Sequence, residues 1–158
     1  MRILRVMGLL LLAAVGLLVL VALGARFNDG PVGLFPGGPL QAGLLEEDPV
    51  TDWSFATDEE TIELQLLSQE RSRTTWILVH ARDGFIPCSL TFPPGKSWHH
   101  SALRDGRALL RIRGQRYPVV LERVEEAKLV KDLGYVLRGK YGHEPLGSGG
   151  VWYFRFTW

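Results

Sequence analysis

Residues 7–25 form a run of 19 residues without a charged side chain, dominated by Leu, Val and Ala, and no other feature limits the chain's options as much. About 20 apolar residues in a helix cross the hydrocarbon core of a bilayer, where every backbone N–H and C=O must be bonded within the segment. Arg2 and Arg5 precede the run and only Arg26 follows closely. The positive-inside bias therefore predicts a single-pass membrane protein with its N-terminus in the cytoplasm and its C-terminal domain extracytoplasmic, periplasmic in a bacterium. A cleaved signal peptide is the competing reading, because the start is basic and Ala22-Leu23-Gly24 offers small residues. The run is, however, longer than the about 7–15 residues usual for a signal core.

The run divides the chain into an anchor (1–26), a Gly/Pro-rich arm (27–51) and a domain (52–158). Arg2, Arg5 and Arg26 take three of the 18 Lys and Arg, so the remainder holds 15 against 17 Asp and Glu. That balance gives no electrostatic footprint for nucleic acid. Cys88 is the only cysteine, which excludes an intramolecular disulfide.

The arm carries Pro31, Pro36, Pro39 and Pro49 among five glycines, so regular structure is not expected. Val32, Leu34, Phe35, Leu40, Leu44 and Leu45 are too apolar for a free tether, which predicts that part of it lies against the domain. Gly37-Gly38 lacks the preceding strand, following helix and nearby lysine of a phosphate-cradling loop.

Within the domain, Ile62, Leu64 and Leu66 alternate with Glu63 and Gln65, the pattern of a half-buried strand. Residues 75–80 and 85–92 read as a hairpin turning at Arg82-Asp83-Gly84, with Pro87 at an edge or bulge because it cannot donate to a ladder. Residues 108–113 and 117–124 read as a second hairpin, with Gly114-Gln115 suited to a type II′ turn. Between the hairpins, Ser97 can cap a short helix ending at Asp105-Gly106. Residues 125–141 place Ala127, Val130, Leu133, Leu137 and Tyr141 at helical spacing, with Glu125 and Glu126 in the first turn. A glycine-rich loop at 147–150 leads to a last strand, 151–158, whose Trp152, Phe154, Phe156 and Trp158 share one face. The fold class expected is α+β, mainly antiparallel β, and a small barrel removes the sheet's edges.

Lys96-x-Trp98, Leu103-x-Asp105-Gly106 and Leu110-Arg111-Ile112-x-Gly114-x-x-Tyr117 together resemble the middle of the split β-barrel family that includes pyridoxamine-phosphate-oxidase-like flavoproteins and deazaflavin-dependent nitroreductases. The resemblance spans about residues 60 to 125 and implies a flavin-type cofactor, FMN or a deazaflavin, lying in a barrel groove. Arg73, Thr74 and Thr75 then resemble the family's phosphate contacts, and Ser89, Lys96 and Trp98 the residues near the flavin ring or phosphate. Arginine offers phosphate a bidentate fork and lysine a point charge. The chain departs from the family after the second strand, where Phe92-Pro93-Pro94-Gly95 stands in place of a basic-serine-lysine signature. Read without the resemblance, Arg73 and Lys96 are surface charges and Trp98 a core residue.

Other patterns carry less. His99 and His100 point about 100° apart on a helix, so they cannot easily share a metal, and no metal site is expected. A haem axial role for a histidine is less favoured than a flavin. Arg104, Arg107, Arg111, Arg113 and Arg116 could draw anionic lipid or a phosphate-bearing ligand, or form a solvated face balanced by Asp105 and Glu122. Cys88 reads as a small buried hydrophobe. The aromatic face of the last strand is core, a wall for a ring-shaped ligand, or a homodimer interface. Two functions follow: a membrane-anchored redox protein holding a flavin, or a non-catalytic membrane-tethered module that binds a ligand or protein.

Overall fold

The computed structural model describes residues 2–143 and 149–158; Gly147 and Ser148 of the expected glycine-rich loop lie outside the described residues. The chain opens with helix α1 (Arg2–Ala25). Its stretch Arg5–Ala25 is long and apolar enough to cross a membrane, with a mean hydropathy of 3.0. Its leucines from Leu9 to Leu23 stand exposed, but Ala25 in the last turn is buried, so the helix ends against the domain.

After a short 3-10 turn (Ser54–Ala56) come β1 (Thr61–Leu66), β2 (Ser72–Trp76), β3 (Leu78–His80), β4 (Asp83–Ser89), α2 (Trp98–Arg104), β5 (Arg107–Ile112), β6 (Gln115–Arg123), α3 (Ala127–Tyr141) and β7 (Val151–Thr157). The fold is α+β, as expected, with one seven-stranded sheet in the order β2-β1-β5-β6-β7-β4-β3. Every pairing within it is antiparallel. The two terminal strands of that order, β2 and β3, are consecutive in the chain and joined by Ile77 alone, so the sheet's ends meet at this residue.

What was expected as one strand is therefore two. At the break Ile77 is fully buried and its backbone has no ladder partner, so α3 supplies partners. The Tyr141 hydroxyl accepts the Ile77 N–H (3.1 Å) and lies 2.6 Å from the Glu60 carbonyl and 2.9 Å from that of Ile77, to which its one proton can be donated. The Lys140 ammonium donates to the carbonyls of Ile77, Thr57 and Glu59. The Tyr141 ring stacks on Trp76 at 4.2 Å, and burial pushes its hydroxyl up to about 12.

Alternation places Ile62, Leu64, Leu66, Ile86, Cys88, Leu110, Ile112, Val119, Leu121, Phe154 and Phe156 in one buried core. Trp53 closes it at one end, and Trp98 and Ala102 of α2 at the other. A smaller cluster, Leu78, Phe85 and Tyr153 with Leu133 and Leu137, packs α3 on the sheet's other face. Phe154 and Phe156 are therefore core, while Trp152 is half-buried and Trp158 is partly exposed.

Both hairpin turns sit off their expected positions. The β5–β6 pairing Ile112↔Gln115 makes Arg113-Gly114 the loop, with φ of 51° and 78°, a type I′ geometry rather than II′. The β3–β4 loop is Ala81-Arg82, again with positive φ at both residues. Gly84 lies in the strand, where an added Cβ would come within 2.0 Å of the Phe156 ring. Pro87 is not on an edge strand, but β3 covers β4 only at residues 83–85. Leu90 N donates to Gly150 O on the β7 side, so by alternation the backbone of Pro87 faces the opposite, uncovered flank. α3 starts at Ala127, leaving Glu125 and Glu126 before its first turn, and ends on Gly142 at φ 76°.

Tyr141→Phe leaves the buried Ile77 N–H without an acceptor. We expect a loss of about 1–3 kcal/mol, read as a lowered urea midpoint by circular dichroism of the full chain in nonionic detergent. A midpoint shift equivalent to less than about 0.5 kcal/mol contradicts the assignment.

Candidate functional site: a basic cleft at the end of the first helix

The arm runs along the sheet and is bonded to it at many points. Gly37 and Ser72 exchange backbone hydrogen bonds, as do the segments around Leu44 and Arg116. Ser72 Oγ donates to the Gly38 carbonyl, and Leu40 N to Gln65 Oε1 at 2.8 Å. The arm's main anchor is Arg111 on β5. Its guanidinium pairs with Asp29 at 3.0 Å and with Glu63, and donates to the carbonyls of Asp29 and Ala42. Burial pushes the Asp29 carboxyl up, but the N–H groups of Gln41 and Ala42 and the Arg111 charge outweigh it and hold the group below its ordinary value.

This attachment fixes the end of α1 beside the α2 end of the sheet. Between them lies a cleft of ≈ 980 Å³, lined by Leu23, Arg26 and Phe27 from α1 and its exit, by Gln69, Glu70, Arg71 and Arg73 around the β1–β2 turn, and by 95–98 before and at the start of α2. Its volume is at the upper end for small-molecule sites.

Arg73, near the start of β2, is the centre of the cleft. Its Nη2 donates to Gln69 Oε1 at 2.7 Å, and its guanidinium carbon lies 5.7 Å from the Trp98 ring centroid. Its Nε is buried and has no hydrogen-bond partner. Among the described residues it forms no ion pair. Burial lowers it to about 10, which leaves it charged at neutral pH. Lys96 donates to the carbonyls of Ser89 and Phe92, folding the 89–96 loop under the cleft. Ser89 Oγ accepts from Phe92 N at 3.1 Å, tightening the same loop. Trp98 is 5% exposed and packs against Phe154, so it is also a core residue.

Of the residues singled out from sequence, Arg73, Lys96 and Trp98 come together, with Ser89 contributing its carbonyl to Lys96. Thr74 and Thr75 do not line the cleft. Thr74 alternates away from Arg73, and its hydroxyl donates to the Gly33 carbonyl of the arm at 3.0 Å. Thr75 lies further along β2, opposite Ile62. Arg26, Gln69 and Arg71 were not singled out; their only signal was polar character beside the apolar run and in a turn.

The arginine cluster on β5 and β6 is occupied by structural contacts. Arg107 pairs with Asp105, Arg113 with Glu59, and Arg116 donates to the carbonyls of Gly43 and Leu40. Cys88 is 2% exposed, and burial pushes its thiol up against the opposing pull of Lys96 and Arg73, so it stays protonated at neutral pH. Beside the cleft, His99 is 3% exposed with an unpartnered Nδ1; burial first, then His100 and Lys96, push it down and keep it neutral. Arg123 covers Trp152, which contacts both histidines. Among the described residues no group of three or more His, Cys, Asp or Glu could hold a metal ion.

No protein-family model, no curated protein and no solved structure matches the chain. The site rests on its own chemistry: a largely buried cation with no ion-pair partner among the described residues, beside an open cleft.

The Asp29 anchor gives a prediction with a definite sign. A carboxyl held below its unfolded value of 3.8 contributes stability that is fully present above that pH and is lost as pH falls through its folded value. The Gln41 and Ala42 amides, bonded to Asp29, should be protected from hydrogen exchange at pH 5 to 7. Their protection factors should fall below pH 3.8 before those of the β5 and β6 amides; simultaneous loss contradicts a local anchor.

Proposed function

We propose that the chain is a membrane-anchored, non-catalytic binding module, with α1 spanning the bilayer from a cytoplasmic N-terminus and the domain extracytoplasmic, and that its cleft takes a phosphate-bearing ligand. The observation that carries this reading is Arg73. A largely buried guanidinium with an unpartnered Nε and, among the described residues, no carboxylate partner is costly unless an anion completes it. Arg26, Arg71 and Lys96 line the same cleft against the single carboxylate of Glu70. The burial of Ala25 supports a retained α1, since the domain packs on the helix's last turn. The fold is read as a small split barrel, supported by the meeting of the sheet's ends at Ile77 and by the plugs at both ends of the core.

A second reading keeps the flavin. In its favour, Arg73, Lys96 and Trp98 share a cleft large enough for FMN or a deazaflavin. Against it, Trp98 is buried against Phe154 with Arg73 over its ring, so little of the ring is offered for stacking. Thr74 is occupied by the arm.

The test is equilibrium binding of inorganic pyrophosphate and of FMN to the full chain in nonionic detergent. Pyrophosphate should bind, and Arg73→Met should weaken it at least about tenfold, the loss of a charge-assisted hydrogen bond, without lowering the melting temperature. FMN bound more tightly than pyrophosphate, with a shifted visible band, moves the conclusion to the redox reading; no binding of either removes the site.

A further inference from the structure

Resting on the anion-site reading, we infer that the natural occupant of the cleft is the phosphate headgroup of an anionic lipid in the leaflet where α1 emerges. Depth is the first argument. Leu23 lies within the apolar run and Arg26 just beyond it, and both line the cleft. At about 1.5 Å per helical residue, Leu23 to Phe27 spans about 6 Å, so the cleft opens at the level of the lipid phosphates rather than in bulk water. The arm cannot swing this end of α1 away while Arg111 holds Asp29, four residues after Ala25.

The second argument is the cleft's mixed chemistry. One wall is cationic, with Arg71, Arg73 and Lys96; the other presents Leu23, 50% exposed, and Phe27, 92% exposed. A free phosphate has no use for the apolar wall. A lipid uses both, its phosphodiester against the guanidinium groups and its acyl chain alongside α1. Because the cleft is open rather than enclosed, the chain of a bound lipid can leave sideways into the bilayer.

Each basic side chain near an anionic lipid surface contributes roughly fivefold in affinity. The test is native mass spectrometry of the full chain released from nonionic detergent after titration with equimolar phosphatidylglycerol and phosphatidylcholine. Wild-type protein should retain phosphatidylglycerol preferentially. Arg26→Gln with Arg71→Gln, both exposed and outside the core, should reduce that preference roughly 25-fold. Lys128→Gln with Lys131→Gln on α3, away from the cleft, should leave it unchanged. Equal retention of the two lipids, or an equal drop in the α3 control, overturns the lipid assignment. Pyrophosphate binding measured on the same sample separates the two readings: binding without lipid preference overturns the lipid inference and leaves the anion site standing, whereas neither overturns both.

Discussion

The contact of Arg111 with Asp29 and Glu63 is the constraint from which the rest of the molecule's arrangement follows. One guanidinium bonds two carboxylates and two carbonyls, while Asp29 also accepts two arm N–H groups. Arg111's side chain is only 13% exposed, so these charges interact with less screening than a surface pair. The cluster stands where the chain leaves α1, and thus sets where the helix ends relative to the sheet. The other arm contacts, Gly37 with Ser72 and Leu40 with Gln65, lie further along the chain; the Arg111 cluster is the one that holds the stretch just after α1, and with it the α1 wall of the cleft.

A second constraint places the cleft at the rim. The apolar side chains of the strands fill the sheet's interior, down to a glycine at position 84 where the Phe156 ring needs the space. Open space lies instead at the sheet's end, in the cleft where β2 begins, the 89–96 loop turns and α2 caps the core. Arg73 belongs to both worlds: its stem follows the inward face of β2, and its head reaches the cleft over Trp98.

The strands were legible because period-two alternation records burial directly, as Ile62, Leu64 and Leu66 show. Turn positions were less so. Positive φ at Ala81, Arg82 and Arg113 carries no residue-type signal, and the nearby glycines draw the expected turns away by one or two positions. The site was half visible. Arg73, Lys96 and Trp98 stood out by residue type, but what occupies Thr74 is the arm's course, fixed by contacts up to 82 residues apart in sequence. The same separation explains the β5–β6 arginines: a local reading sees a basic cluster, whereas the fold spends those charges on Asp29, Glu59, Glu63, Asp105 and arm carbonyls.

In the proposed orientation the cleft end of the domain sits at the membrane surface and the opposite end in water. This orientation is tested most directly by nitroxide depth measurement in bilayers, with Cys88→Ser as background and single labels at Ser97→Cys and Asp58→Cys, two exposed positions at opposite ends of the sheet about 20 Å apart. The Ser97 label should be shielded from a water-soluble nickel chelate and report headgroup depth, while the Asp58 label should be fully accessible. Equal accessibility at the two positions would contradict the orientation.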